Sequence, residues 1–220
     1  MPGPARRDQP RSPRRADGAD GVREAILNGT ESLLGRKRFV KITVADILKE
    51  AHVSRASFYF YFESKHAVLA ELARRAVAGG HDVASQWLDR SDADDPIASL
   101  QRGTLDGAAV WREHGPVLRA VVEHWREDER LSALWVELMN SYTTAAVARI
   151  ERDRESGLAR HTDSDTEVVC SILTWMTERC FYLAAIGVPP FDNEDAVGRA
   201  LVDIWTSTLY GRCWPPPSRR

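Results

Sequence analysis

The chain has 220 residues, 43% of them hydrophobic and 28% charged, with a net charge of −2. That size supports a real core in one or two domains, and the composition is ordinary for a soluble globular protein. No apolar run approaches the ~18 residues of a membrane span, and the Arg- and Pro-rich N-terminus lacks the apolar segment of a secretory signal, so a cytoplasmic location is expected.

Three cysteines, Cys170, Cys180 and Cys213, are odd in number and lack C-x-x-C spacing, which argues against a disulfide scaffold, a zinc site or a metal centre of another kind. The overall charge hides an asymmetry. Residues 1–75 carry +6 and residues 76–220 carry −8. A basic N-terminal module on an acidic body is the charge pattern of a nucleic-acid reader joined to a separate regulatory domain.

Residues 1–21 hold five arginines, four prolines and almost nothing apolar, and read as a disordered basic arm. Arg6, Arg7, Arg11, Arg14 and Arg15 have the reach for phosphates or a minor groove. Asp8, Asp17 and Asp20 cut the arm's net charge to +2, so a solvated tail fits as well. A first helix is expected over residues 22–35, with Val22, Ala25, Ile26, Leu33 and Leu34 on one apolar stripe. The basic cluster Arg36, Lys37, Arg38 and Lys41 follows in a connection; a charge run of this kind is usually a solvated face.

Residues 43–65, TVADILKEAHVSRASFYFYFESK, organise the chain. Thr43 is a good N-cap, and Val44, Ile47, Leu48 and Ala51 recur at helical spacing. His52 and Val53 fit a tight turn, and Ser54 caps a second helix over residues 55–61. This is the pattern of a helix-turn-helix whose second helix reads a major groove. Phe58 and Phe62, spaced i and i+4, are expected to turn inward. Arg55, Ser57, Tyr59, Phe60 and Tyr61 are the outward candidates. Arg55 suits a guanine edge or a phosphate, the tyrosines suit phosphates, and Phe60 offers only apolar contact, as to thymine methyls. Burial of Phe60 and Tyr61 is the bland alternative, but a seven-residue helix cannot bury four aromatics on one ~100° face.

The string VSRASFYFYFESKHAVL, through Val53, Ser54, Phe58, Tyr59, Tyr61, Phe62, Ser64 and Lys65, resembles the signature of the TetR family of bacterial transcriptional repressors. The resemblance covers roughly residues 22–70 and implies that Lys65 holds a phosphate at a helix N-terminus, and that Thr43 both caps its helix and touches a phosphate. The candidate DNA-binding set is therefore Thr43, Ser54, Arg55, Ser57, Tyr59, Phe60, Tyr61 and Lys65.

Beyond Gly79-Gly80 the body reads as helical throughout, with stretches at about residues 81–89, 95–113, 115–125, 130–155, 164–186 and 193–210. SDADDP is a loop and VPPF a firm break. The implied fold class is all-α: a helix-turn-helix DNA-binding domain at residues 22–68, a helical regulatory and dimerisation domain at 69–212, and a tail at 213–220. The last two helices are apolar over more than one face, as cover by a second subunit requires, so a homodimer through them is expected.

Six of seven tryptophans lie in this body. Buried indoles need hydrogen-bond partners, which makes them a costly filling for a plain core. The strings RIERDRESG, WMTERCF and IWTSTLYG resemble the TetR subgroup of the mycobacterial regulator that represses an ethionamide-activating monooxygenase. That narrower resemblance implies a tunnel for a small hydrophobic effector lined by Trp111, Trp135, Met139, Tyr142, Trp175, Thr177, Phe181 and Trp205. Thr174 and Thr177 stand where that relative has hydrogen-bonding amides, and Gly107 and Ala108 where it has aromatics. Ordinary core plus dimer interface is the alternative for these side chains. Glu178 and Arg179 read as a paired bridge at an interface rather than as ligand contacts.

No catalytic motif, phosphate loop or paired-histidine metal signature is present, and the six histidines are scattered. The expectation is a non-enzymatic repressor with no cofactor and no metal, binding a double-stranded, pseudo-palindromic operator as a dimer. An architectural DNA binder without a ligand, or a helical enzyme, are the rival readings.

Overall fold

The computed structural model describes residues 16–78, 87, 90–91 and 94–211. Among the described residues eight α-helices are delimited: α1 Ala16–Leu34, α2 Val44–Ala51, α3 Arg55–Tyr61, α4 Lys65–Ala78, α5 Pro96–His124, α6 Glu129–Glu155, α7 Thr166–Ala185 and α8 Glu194–Tyr210. Short 3-10 turns at Phe39–Lys41 and Trp125–Glu127 complete the described elements, and no strand occurs among them. The helix at residues 81–89 and the tail at 213–220 fall largely outside the described residues, as does the arm up to residue 15. Helix α1 begins six residues before the expected start at Val22, running back through ADGADG, where no apolar stripe signals a helix.

Local chemistry sets most boundaries. Thr43 opens α2 with a reciprocal capping box: its hydroxyl accepts from Asp46 N at 3.1 Å, and its own N–H donates to Asp46 Oδ2 at 2.9 Å. That backbone bond, with the Thr43 hydroxyl and Lys37, holds the Asp46 carboxyl down at about 2. His52 closes α2 in the left-handed region at φ 54°, an uncommon conformation for a side chain with a Cβ, and makes the sharp motif turn. Asp95, Asp128, Asp165 and Asn193 each cap the helix that follows. Helix α5 breaks at His114 (φ −111°, ψ 15°), just ahead of Pro116, whose ring and missing N–H disrupt the preceding turn. The expected division near residue 114 is thus a kink in one long helix.

Packing joins the two halves. Ile26, Leu27, Leu34, Ile47, Phe58 and Phe62 form the N-terminal core. The same buried cluster runs on through Val68, Leu69 and Leu72 of α4 to Val117, Leu118 and Val121 of α5 and Leu131, Trp135 and Met139 of α6. The N-terminal module therefore sits on a continuous core. Helix α1 lies so close to α2 that a Cβ on Gly29 would stand 3.2 Å from the backbone nitrogen of Ala51.

A second centre of gravity is polar and buried. Arg90, Arg149 and Asp153 are buried together, both guanidiniums bonded to the Asp153 carboxylate. Tyr210 donates to Asp153 Oδ2 at 2.8 Å and accepts from Trp87 Nε1 at 3.1 Å. This network ties α6 to the end of α8.

The glycines of α1 give opposite expectations. Gly29→Val should destabilise the fold by about 1–3 kcal/mol, because the added methyls meet backbone that cannot rotate away. Gly21→Ala, with nothing within 4 Å of its Cβ position, should be neutral or stabilising by up to about 1 kcal/mol. Chemical denaturation of the two variants measures both.

Candidate functional site

The reader helix sorts its aromatics as its geometry demands. Phe58 is fully buried and Phe62 nearly so, whereas Phe60 is 79% exposed and Tyr59 48% exposed. Tyr61 is half-buried and packs partly on the core, with the Phe60 ring edge-on at 4.9 Å, so it is less outward than its place in the sequence suggests. Arg55 is exposed in the first turn. The Ser54 hydroxyl accepts from Ser57 N at 3.0 Å and lies 2.8 Å from the Ser57 hydroxyl.

Two candidates have internal work. The Thr43 hydroxyl donates to Asp46 Oδ2 at 2.8 Å while accepting from Asp46 N. Its proton is therefore engaged, beside a carboxylate that repels phosphate. Lys65 Nζ donates to the carbonyls of Phe39 (3.1 Å) and Ile42 (2.9 Å) and lies 4.4 Å from the centroid of the Phe39 ring. Burial lowers its pKa, partly offset by Glu127. An ammonium has three protons, so one remains for a phosphate.

Phe39 is the joint between reader and body. Its ring meets His66 of α4 edge-on at 5.1 Å and His124 at the end of α5 at 5.3 Å. Beside it, Arg38 pairs with Glu123 at 3.2 Å, and Tyr182 of α7 donates to the same carboxylate at 3.4 Å. His124 Nδ1 lies 2.8 Å from Glu127, whose carboxyl is held low by His124 and then by His66.

Between α5, α6, α7 and α8 lies a cavity of about 200 Å³. Trp111, Trp135, Met139, Tyr142, Thr177, Phe181 and Trp205 line it, as their sequence positions implied. Trp175 does not line it. Its ring packs on Trp125 at 6.3 Å, on the side of α7 that faces the reader's core cluster. Sequence reasoning missed Trp87, Thr104 and Glu178 as lining. The signal for Glu178 was periodicity: Thr174, Thr177, Glu178 and Phe181 stand at i, i+3, i+4 and i+7 and share one helix face.

Gly107 now has a physical role. A Cβ there would stand 3.1 Å from Phe181 Cε2, so the missing side chain makes room for the Phe181 ring. The polar groups of the wall are partly satisfied. Trp205 Nε1 donates to Thr177 Oγ1 at 2.9 Å, and that hydroxyl donates to the Leu173 carbonyl at 2.8 Å. Trp87 and Trp205 meet edge-on at 5.5 Å. The Glu178 carboxyl is 7% exposed, its Oε1 has no partner, and its Oε2 lies 4.0 Å from Arg179 Nε. The expected Glu178–Arg179 bridge is therefore long, and Arg179 instead lies 5.0 Å from the centroid of the Tyr182 ring.

The chain resembles known proteins over both its helix-turn-helix module and its helical body. Residues 26–72 match the model of the bacterial regulatory proteins of the tetR family, and residues 103–211 match that of the C-terminal domain of the transcriptional regulator EthR. The HTH-type transcriptional regulator EthR of Mycobacterium tuberculosis is 34% identical over 204 residues, which is 92% of this chain and 94% of that protein. The chain belongs to the TetR family. Its regulator type is that of EthR; the Mycolicibacterium smegmatis EthR is 32% identical over 203 residues, 92% of this chain and 93% of that one. In fold, this TetR-type chain is similar to SmeT, the repressor of a Stenotrophomonas maltophilia multidrug efflux pump. There the TM-score is 0.65 at 18% identity, covering 85% of this chain and 89% of that one. Among the described residues no helix is long and apolar enough to cross a membrane.

The internal bonds of Lys65 separate it from Arg55. Lys65→Ala should lower thermal stability as well as DNA affinity, since two carbonyls lose a charged donor. Arg55→Ala should lower affinity and leave the melting temperature within about a degree, as surface changes usually do. Paired melting and DNA-titration measurements tell them apart.

Proposed function

We propose that this chain is a TetR-type repressor that binds a pseudo-palindromic operator as a homodimer and is released from it by a small hydrophobic ligand. The observation that carries the reading is the exposure of Phe60. An apolar ring 79% exposed in the last turn of a seven-residue helix, on the same short helix as the exposed Arg55 and Tyr59, adds nothing to the buried core of the subunit. It fits contact with thymine methyls in a major groove, while Arg55 and Tyr59 supply donors for bases and phosphates. Ser54 and Ser57 are short enough to let the backbone approach. Thr43, Lys65 and Tyr61 serve chiefly to hold the helix, with contact to phosphate as a secondary role. The N-terminal arm would add nonspecific attraction.

The dimer would form through α7 and α8. Val168 and Ile172, one turn apart on α7, are 55% and 61% exposed, and Ile204 of α8 is 40% exposed. Cover by the same surface of a second copy removes this apolar area from water and sets two readers in fixed relation.

Release would run through the joint. A ligand against Phe181 acts on the helix that carries Tyr182, whose hydroxyl reaches Glu123 beside Arg38. It shifts the reader only by the difference in its affinity for the two arrangements. EthR and SmeT are named as a transcriptional regulator and a repressor, which favours this mechanism over an architectural role.

Two measurements test the reading. Phe60→Ala and Tyr59→Ala should each weaken binding to the upstream DNA of the protein's own gene by about tenfold or more relative to scrambled DNA, with little change in stability; unchanged preference would refute the assignment. Ile172→Asp should convert the dimer to monomer in sedimentation and reduce operator affinity with it, while a variant that stays dimeric would move the interface elsewhere.

A further inference from the structure

We propose that Glu178 is the polar anchor of the cavity, and that it selects ligands carrying a protonated amine on an apolar chain. The inference rests on the reading of this cavity as an effector site and goes on to name the class of effector.

Three features point to Glu178. It is more than nine-tenths buried, its Oε1 has no hydrogen-bond partner, and it lies on the α7 face that lines the cavity. A buried polar atom with no partner costs free energy, and in native proteins such an atom calls for a specific explanation. A donor inside the cavity would supply that partner.

The remaining wall argues for a cationic donor. The indoles of Trp87 and Trp205 are already donating within the protein, and the Thr177 hydroxyl is occupied on both its donor and acceptor sides. Glu178 is thus the carboxyl facing a space lined mainly by aromatic and aliphatic side chains, with the hydroxyls of Thr104, Thr174, Thr177 and Tyr142 as its other polar side-chain groups. Burial raises its pKa, with Arg179 only partly opposing this. An arriving ammonium reverses the balance, since an opposite charge within hydrogen-bond reach favours the carboxylate. The N⁺–H···O⁻ bond that forms is about twice as strong as a neutral one. The faces of Trp111, Trp135 and Trp205 add attraction for a cation. A carboxylic acid ligand in its ionised form would meet a like charge, and an alcohol would gain only the weaker, uncharged hydrogen bond.

The few charged or titratable groups nearby do not satisfy the anchor. Arg179 approaches Oε2 at 4.0 Å from the same helix, but its own side chain is 53% exposed. Across the cavity, the lining residue able to titrate is Tyr142, whose hydroxyl burial keeps protonated to higher pH.

The test uses an eight-carbon series that differs only in its head: octylamine, 1-octanol and octanoate. Binding is measured on the full chain by titration calorimetry at pH 7.5, with wild type and Glu178→Gln. Octylamine should bind wild type about tenfold or more tightly than 1-octanol, as a charge-assisted hydrogen bond predicts. Octanoate should bind most weakly. In Glu178→Gln the preference for the amine should vanish while 1-octanol binding persists.

Should that variant fail to fold, octyltrimethylammonium keeps the test in wild type. It has the charge but no N–H, and should bind several-fold more weakly than octylamine. Equal binding of amine and alcohol, a preference that survives Glu178→Gln, or tightest binding by octanoate would each overturn the anchor and leave the cavity an effector site of another kind. Binding of none of the four would overturn both the anchor and the effector reading.

Discussion

Everything the reader does depends on how one ring is held. Phe39 is buried at the point where the N-terminal module meets the body. Lys65 lies over its face and bonds its carbonyl, while His66 and His124 press on it from α4 and the end of α5. The ammonium adds a charged donor to the Phe39 carbonyl, which also accepts from Ile42 N, and to the Ile42 carbonyl, and it lies over the ring beneath, so one side chain fixes both backbone and aromatic positions. The reader cannot tilt against the body without disturbing these contacts. In the proposed mechanism the joint is the place where a change in the body would become a change at the reader helix.

The body's own rigidity comes from a different source. Two buried arginines share the Asp153 carboxylate, with Tyr210 as a third donor. Such a network costs desolvation, and removing one member would leave an uncompensated charge in the core. Its geometry fixes the end of α8 against α6 and, through the Trp87–Tyr210 hydrogen bond, places Trp87 at the cavity wall. The cavity is therefore bounded on this side by a polar framework that resists collapse. On the other side it is bounded by Phe181, which fills the space that Gly107 leaves.

Chemistry inside the cavity follows from which polar groups are already engaged. The Trp87 and Trp205 indoles find partners within the protein, which removes the penalty that makes buried tryptophans expensive. The threonine facing Trp205 is used up in the same way. Glu178 is left without such a partner on Oε1, so specificity rests on one carboxyl in an aromatic space. Cys170 plays no comparable part: it is buried, with its thiol pushed up to about 11 by burial, which keeps it protonated and unreactive.

By itself the sequence determined what local rules govern. Thr43 and Ser54 marked helix starts because caps act within four residues, and 3.6-residue periodicity placed Phe58 and Phe62 inside with Phe60 outside. The density of tryptophan raised the expectation of a body that holds more than a plain core. Tertiary structure alone decided the rest, since it turns on contacts between residues far apart in the chain. Trp175 and Trp205 look alike in sequence, yet one packs toward the reader and the other lines the cavity, because α7 and α8 bury different faces. The resemblance gave Lys65 a phosphate to hold, but only the fold could show that its ammonium also bonds carbonyls 26 and 23 residues away. Glu178 read as half of a neighbouring ion pair, but a helix sends adjacent side chains in directions about 100° apart. Arg179 therefore lies over Tyr182, and the glutamate is left facing the cavity.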